Sequence, residues 1–127
     1  MNSRKRYKKS ELINFTYNIL KKVGLNNSNS KIISDLIIRA DERGVWSHGI
    51  VRLPVYVNRI EKKAAKKNPN FKFKKISNNI FHLSGDNGLG YLAANAGIKK
   101  CVSLAKEKGI GLVAISKSNH FGMAANY

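Results

Sequence analysis

The sequence predicts an α+β fold in which a helical region, residues 1–67, precedes a segment of mixed strands and helix, residues 68–127. In the first part, apolar residues recur three and four positions apart, which is the period of an amphipathic helix. In the second part, short runs that alternate apolar and basic residues indicate strands, and one long helical pattern follows them. The change of period falls at Asn68-Pro69-Asn70, a sequence typical of a turn.

The first part contains three candidate helices. The first covers residues 11–23, with Ser10 as its N-cap and Gly24 at its end. The second covers residues 31–43 and the third covers residues 47–61. Since each helix gathers its apolar side chains on one side, together they predict a small helical layer.

The second part begins with a charged linker, residues 62–70, and a predicted β-hairpin. The hairpin strands cover residues 71–76 and 80–83, and the turn between them is Ser77-Asn78-Asn79. His82 lies in the second strand among apolar neighbours, so we interpret it as a structural histidine rather than a ligand.

A glycine-rich turn, residues 85–90, leads into a predicted helix over residues 91–108 and an apolar strand over residues 111–116. The turn could present backbone N–H groups to an anion. A plain tight turn is favoured, because the stretch lacks the Lys-Ser/Thr of a P-loop and the dinucleotide fingerprint. The strand has the composition of a buried strand, and its apolar face would be exposed without further strands beside it. It is followed by a polar loop with His120, a common location for an active-site group.

Composition limits the classes of function. The chain has 127 residues, 43% of them hydrophobic, and a net charge of +17. Because the basic residues are spread along the whole chain, we expect unspecific polyanion binding at most and no specific nucleic-acid partner. The single cysteine, Cys101, excludes an internal disulfide and a multi-cysteine metal site, and its apolar neighbours indicate a buried thiol. We expect no metal. No apolar run reaches the length of a membrane span or of a signal-peptide core, so we expect no membrane association and a cytoplasmic location.

Chemistry-bearing side chains are concentrated in one short stretch. Ser47, His48, Arg52 and Tyr56 bring together a hydroxyl, an imidazole, a guanidinium and a phenol. On a continuous helix His48, Arg52 and Tyr56 would share one face, whereas Pro54 favours a short turn followed by a new helix. A guanidinium fits a carboxylate and an imidazole can pass a proton near neutral pH, so the set suits a small carboxylate-bearing carbonyl substrate.

The same residues also fit a purely structural interpretation. Ser47 could cap a helix, and Arg52 and Tyr56 could lie on a solvated face with the ring snorkelling along it.

Several motifs resemble the malate/L-lactate dehydrogenase family, in the type 2 group that includes ureidoglycolate dehydrogenase and diketogulonate reductase. The first is Ala40-Asp41-Glu42-Arg43-Gly44-Val45-Trp46-Ser47-His48-Gly49, followed by Arg52-Leu53-Pro54 and Tyr56. The others are Gly85-Asp86-Asn87-Gly88-Leu89-Gly90 and Ser118-Asn119-His120-Phe121-Gly122. Their order and spacing are similar to those of the family over most of the chain.

The resemblance implies a helical N-terminal region and the start of a mixed α/β, non-Rossmann cofactor domain, incomplete here, in a homodimer. It implies hydride transfer between NAD or NADP and a small 2-hydroxy or 2-oxo acid. Arg52 would hold the substrate carboxylate, and Ser47 and Tyr56 would help to orient the substrate. His48 or His120 would be the catalytic acid-base, and both would contact the cofactor.

Two features depart from the family. Trp46 is bulkier than the small or acidic residue expected there, and it would narrow or cover the pocket. Family members are also much longer than this chain. The chain is therefore expected to be the N-terminal portion of such an oxidoreductase or, alternatively, a truncated and inactive remnant. A third hypothesis, a basic nucleic-acid-binding module, rests on the net charge alone.

Overall fold

The computed structural model describes residues 5–127 and confirms the α+β fold. The helices are α1 (Lys9–Lys22), α2 (Asn27–Glu42), α3 (Leu53–Glu61) and α4 (Gly90–Lys108), and the strands are β1 (Lys72–Lys75), β2 (Ile80–Ser84) and β3 (Leu112–Ser116). Short 3₁₀ turns lie at Trp46–His48, Ile50–Arg52 and Ala124–Asn126. None of the helices in the described range has the length and hydropathy of a transmembrane span.

The three strands form one mixed sheet in the order β1-β2-β3. β1 and β2 pair antiparallel, which confirms the predicted hairpin. β2 and β3 pair in parallel through the crossover helix α4, with Leu83 opposite Ile115. Parallel strands end at the same edge, so the loop after β3 lies beside the turn after β2. Two backbone bonds join them there, from Gly85 N–H to the Ser116 carbonyl at 2.9 Å and from Asn87 N–H to the Lys117 carbonyl at 2.7 Å.

Helix α4 completes the hydrophobic core of the helical layer. Its Tyr91 and Leu92 pack in one cluster with apolar side chains of the first three helices. These helices contribute Leu20, Ile33, Leu36, Ile37, Ile38, Leu53, Tyr56 and Ile60, all at most 6% exposed. Truncating a buried leucine or isoleucine to alanine typically costs about 2–5 kcal/mol, so this shared core fixes α4 against the site-bearing segment.

The start of α1 differs from the prediction. The helix begins at Lys9 with Lys8 as its N-cap, and no side chain caps it. Ser10 lies inside the first turn, so its assignment as the cap was wrong.

The start of α2 also differs, because Asn26 caps a helix that was expected to begin at residue 31. The Asn26 side chain accepts a hydrogen bond from Asn29 N–H at 2.8 Å, and the helix begins at Asn27 instead of residue 31. Asparagine caps about as well as serine. The polar residues after Asn26 form the first helical turn, although their composition resembles that of a loop.

The predicted linker, residues 62–70, is a structured connection. Lys66 N–H donates to the Asn87 carbonyl at 2.9 Å, and Asn68 Oδ1 accepts from Asn26 N–H at 2.9 Å. These bonds attach the stretch to the glycine-rich turn on one side and to the start of α2 on the other.

β3 is mostly exposed, contrary to the prediction from its composition alone. Within residues 5–127 it pairs only with β2, and α4 packs near one side of it. Leu112 and Ile115 are exposed, and Cys101 on α4 is half-buried rather than buried. The expected exposed apolar face of this strand is therefore present.

A sharp turn between α2 and α3 carries the candidate residues. Two 3₁₀ turns follow one another, and α3 begins at Leu53 with Pro54 in its first turn. A continuous helix from His48 to Tyr56 is therefore wrong, and the alternative that Pro54 favoured is confirmed. Proline is tolerated there because a first-turn N–H has no partner within the helix.

Asp41 holds this turn against α2. Its Oδ2 accepts a hydrogen bond from Ile50 N–H at 2.7 Å. Burial raises the pKa of the Asp41 carboxyl, and the bond from Ile50 opposes that rise. Gly49 is required beside it, because a Cβ at this position would collide with the Asp41 carboxyl group.

Gly90 brings the start of α4 against the loop that carries His120. Gly90 N–H donates to the His120 carbonyl at 3.0 Å. A Cβ on Gly90 would lie 2.6 Å from the His120 carbonyl carbon, and backbone cannot move aside as a side chain can.

We predict that Asp41→Ala lowers the free energy of unfolding by about 1–3 kcal/mol, because Ile50 N–H loses a charged acceptor. Asp35→Ala, which removes an exposed ion pair with Arg39 on the same helix, should cost less than about 1 kcal/mol. Urea unfolding monitored by circular dichroism measures both. Equal losses for the two variants would contradict the role of Asp41.

We predict that Gly90→Ala destabilises the protein by about 1–3 kcal/mol through overpacking against the His120 backbone. Gly97→Ala is the matched variant on α4, because its Cβ would meet only the flexible end of the Ile115 side chain. Its urea midpoint should change less than that of Gly90→Ala. The prediction fails if Gly97→Ala is the more damaging of the two.

Candidate functional site

Two segments far apart in sequence meet at the candidate site. The 3₁₀ turn contributes His48, and the loop after β3 contributes His120, with the two ring centroids 5.4 Å apart and stacked at 27°. Tyr56 of α3 also stacks on His120, with ring centroids 6.0 Å apart. The structure thus brings together both histidines and the phenol singled out from the sequence.

Arg52 and Ser47 are joined through the backbone. Arg52 Nε donates to the Ser47 carbonyl at 2.9 Å, which fixes the guanidinium plane beside the turn. Within the described residues only Nε is engaged, so both terminal nitrogens remain able to donate. The Ser47 hydroxyl lies 2.9 Å from His48 Nδ1, so it orients the imidazole. The alternative role of Ser47 as a helix cap is wrong, because its hydroxyl caps neither 3₁₀ turn.

Tyr56 is a buried residue, 1% exposed, and not part of a solvated face. Its hydroxyl lies 3.0 Å from the Tyr91 hydroxyl and 2.9 Å from His120 Nδ1. Burial raises the pKa of Tyr56, while the bond with Tyr91 and the charges of Arg52 and Arg59 oppose that rise. Tyr56 therefore stays a neutral phenol that can donate or accept a hydrogen bond.

His120 is a partly exposed imidazole in a cationic surrounding. Burial lowers its pKa most, and the charges of Arg52, His48 and Arg59 lower it further. The imidazolium form is therefore disfavoured relative to a free histidine. Among residues 5–127, no group forms a hydrogen bond with its Nε2, which leaves this nitrogen available to a substrate.

The loop that carries His120 is held by its neighbour Asn119. Arg59 donates to Asn119 Oδ1 at 2.7 Å. Asn119 Nδ2 donates to Asn87 Oδ1 at 2.9 Å and to the Gly88 carbonyl at 3.2 Å. The glycine-rich turn thus positions the His120 loop, which agrees with its interpretation as a tight turn.

Sequence reasoning missed four supporting residues, namely Tyr91, Asn119, Arg59 and Asp41 as a turn anchor. Asp41 and Asn119 lie inside the quoted motifs, so the motifs held a signal for them. Tyr91 and Arg59 sit in helical patterns, where nothing local distinguishes a buried or bridging role.

His82 lies away from this site. Its Nε2 is 2.8 Å from the Ser116 hydroxyl on the neighbouring strand, so it bonds across the sheet. The interpretation of His82 as a structural histidine is confirmed.

Comparison with known proteins agrees with these motifs. The profile of the malate/L-lactate dehydrogenase family matches residues 7–127. The chain is 36% identical to malate dehydrogenase of Pyrococcus abyssi, over 96% of this chain and 34% of that protein. It is 38% identical to malate/(S)-sulfolactate dehydrogenase of Methanothermus fervidus, over 86% of this chain and 32% of that protein. It is 31% identical to ureidoglycolate dehydrogenase (NAD(+)) of Escherichia coli K12, over 83% of this chain and 30% of that protein.

The solved structure of malate dehydrogenase from Pyrococcus horikoshii superimposes with a TM-score of 0.94 and 34% sequence identity. The superposition covers 97% of this chain and 35% of that one. The chain therefore spans about a third of the length of the relatives it matches. With a family profile covering nearly all of its residues, this chain belongs to the malate/L-lactate dehydrogenase family.

Proposed function

We propose that this chain forms the acid-binding part of an NAD- or NADP-dependent oxidoreductase that acts on a small 2-hydroxy or 2-oxo acid. The observation that carries the proposal is the meeting of His48 and His120, 72 positions apart in the sequence, with ring centroids at 5.4 Å beside the Arg52 guanidinium. Malate, sulfolactate and ureidoglycolate, named for the relatives, are all small hydroxy acids with a carboxylate. An imidazole pair next to a guanidinium suits that chemistry.

Arg52 is the proposed carboxylate-binding residue. Its Nε is already bonded to the Ser47 carbonyl, so the two terminal nitrogens can make a paired contact with both carboxylate oxygens. Because one donor is fixed in advance, less rotamer freedom is lost when the acid binds. Lysine would supply the charge without the planar fork.

The two histidines are the proposed acid-base groups. One of them would hold the proton that the substrate oxygen gains on reduction and loses on oxidation. Ser47 orients His48 through its hydroxyl at 2.9 Å, and Tyr56 orients His120 through its hydroxyl at 2.9 Å. Both residues thus have a proposed role in aligning the substrate-facing imidazoles.

The nicotinamide cofactor, when bound, would accept a hydride from the 2-hydroxy acid or donate one to the 2-oxo acid. We propose that His48 and His120 contact its nicotinamide end. The two flat, partly exposed imidazole rings would pack against the nicotinamide, and the Arg52 guanidinium beside them would bind the substrate carboxylate. The chain offers no dinucleotide fingerprint, so the proposal extends only to that end of the cofactor. The division at residue 67, a homodimer and a cytoplasmic location remain predictions from the sequence.

We predict that Arg52→Ala lowers kcat/KM for the hydroxy acid by an amount equivalent to about 2–5 kcal/mol, because the proposed charge pair with the substrate carboxylate is lost. The assay uses the protein encoded by the full open reading frame that contains this sequence. Malate, sulfolactate and lactate are each offered with NAD and NADP, and reduced cofactor is followed by absorbance.

Arg39→Ala is the matched control, since Arg39 pairs with Asp35 on α2 outside the site. It should leave kcat/KM unchanged. Equal kcat/KM values for the two variants would contradict the proposed role of Arg52 in binding the substrate. A folded wild type that turns over none of these acids would overturn the proposal and favour an inactive remnant.

A further inference from the structure

We propose that Tyr91 is a positioning residue that, through Tyr56, holds His120 as a neutral imidazole with its proton on Nε2. The hydrogen bonds run one way, from the Tyr91 hydroxyl to Tyr56, and from the Tyr56 hydroxyl to His120 Nδ1. This inference rests on the proposed function, in that it assigns a state to one of its two histidines.

A backbone N–H group determines the direction of these hydrogen bonds. Gly122 N–H points at His120 Nδ1, with the nitrogens 3.2 Å apart. A backbone N–H can only donate, so Nδ1 must accept and carries no proton. A neutral imidazole with a bare Nδ1 has its proton on Nε2.

The state of Nδ1 then orients both phenols. Since Nδ1 carries no proton, the Tyr56 hydroxyl at 2.9 Å is the donor of that bond, and it shares the single Nδ1 lone pair with the longer contact from Gly122 N–H. Having used its proton, the Tyr56 oxygen can only accept from the Tyr91 hydroxyl at 3.0 Å. Each step follows from the previous one, because a hydroxyl has a single proton.

Burial keeps this arrangement in place. Tyr91 is 0% exposed and Tyr56 is 1% exposed, so a broken bond would leave a hydroxyl unpaired in the core. Gly122 packs directly on the Tyr91 ring, where a Cβ would lie 2.7 Å from the Tyr91 hydroxyl oxygen. Its φ of +78° suits glycine. Its N–H points at the imidazole.

The surrounding charges favour the same neutral state. The 3₁₀ turns contribute Arg52 and His48, α3 contributes Arg59 together with Tyr56, and α4 contributes Tyr91. The three basic groups each lower the pKa of His120, in addition to its burial. Protonating Nδ1 would also set an N–H against the Gly122 N–H. His120 therefore resists protonation when the pH falls to the usual histidine range near 6.5.

The two histidines therefore differ in whether their hydrogen bonds fix the tautomer of the imidazole. His120 offers a fixed Nε2–H donor to an oxygen of the bound acid. Within residues 5–127, the hydrogen-bond partner of His48 Nδ1 is the Ser47 hydroxyl, which can either donate or accept, so both tautomers of His48 are compatible with this bond. A neutral imidazole can stabilise a developing alkoxide by donating a hydrogen bond.

Nitrogen-15 NMR of the labelled chain tests this inference without any catalysis. Long-range nitrogen–proton spectra distinguish the two neutral tautomers and give each histidine's pKa in one pH series. In the wild type at neutral pH, we expect the Nε2–H tautomer for His120 and a pKa below 6.5. A proton on Nδ1 of wild-type His120 would overturn the inference, whatever any variant does.

The same spectra of Tyr91→Phe test the role of Tyr91. Without that donor, the Tyr56 hydroxyl can rotate and accept from Nδ1, while the Gly122 N–H at 3.2 Å still opposes a proton there. We therefore expect a minor Nδ1–H population of His120 that the wild type lacks, and a pKa raised toward 6.5. Tyr17→Phe removes a hydroxyl bonded to Asn27 on the surface and should leave His120 unchanged. His82 serves as a reference signal in every sample.

An unchanged tautomer and pKa in folded Tyr91→Phe would show that Tyr91 has no positioning role. The outcome is separable from the proposed function. If the turnover assay shows no oxidation of the acid, the NMR result on the His120 tautomer still stands. If the NMR shows the other tautomer, the proposed role of Arg52 in binding the carboxylate is unaffected.

Discussion

The hydrogen bond between Tyr56 and His120 is the interaction on which the site depends. It joins a residue in the core of the helical layer to a loop at the edge of the sheet, 64 positions later in the chain. Without His120 the buried Tyr56 hydroxyl would retain its bond with Tyr91 but lose a second one, at a cost of about 0.5–1.5 kcal/mol. Assembly of the site therefore also contributes to the stability of the core.

Glycine makes the necessary approaches possible at both ends of this connection. At Gly49 the chain passes so close to the Asp41 carboxyl that no side chain fits, and at Gly90 it touches the backbone of His120. Both contacts position a histidine, one in the 3₁₀ turn and one in the loop. The site is thus set by backbone contacts as well as by the side chains that would meet a substrate.

Periodicity predicted the four helices and three strands because those signals are local, and the motifs identified both histidines. The prediction failed where contacts between residues distant in the sequence determine the local structure. Ser10 and Asn26 both have capping chemistry, yet Ser10 lies inside the first turn of α1, whereas Asn26 caps α2 and its N–H is held by Asn68, 42 positions later. Tyr91 was missed for the same reason, since an aromatic residue in an apolar helix predicts only core packing. β3 was assigned as buried from composition, whereas exposure depends on which elements lie beside it.

The charges around His120 link proton binding to acid binding. Arg52 lowers the pKa of His120, and the same guanidinium is the group offered to a carboxylate. A carboxylate bound there would cancel part of that charge, so the free energy of protonating His120 would become more favourable once the acid is in place. By thermodynamic reciprocity, protonation of His120 would tighten acid binding by the same factor. A bound carboxylate would therefore raise the pKa of His120, while the Gly122 N–H at Nδ1 would continue to oppose its protonation.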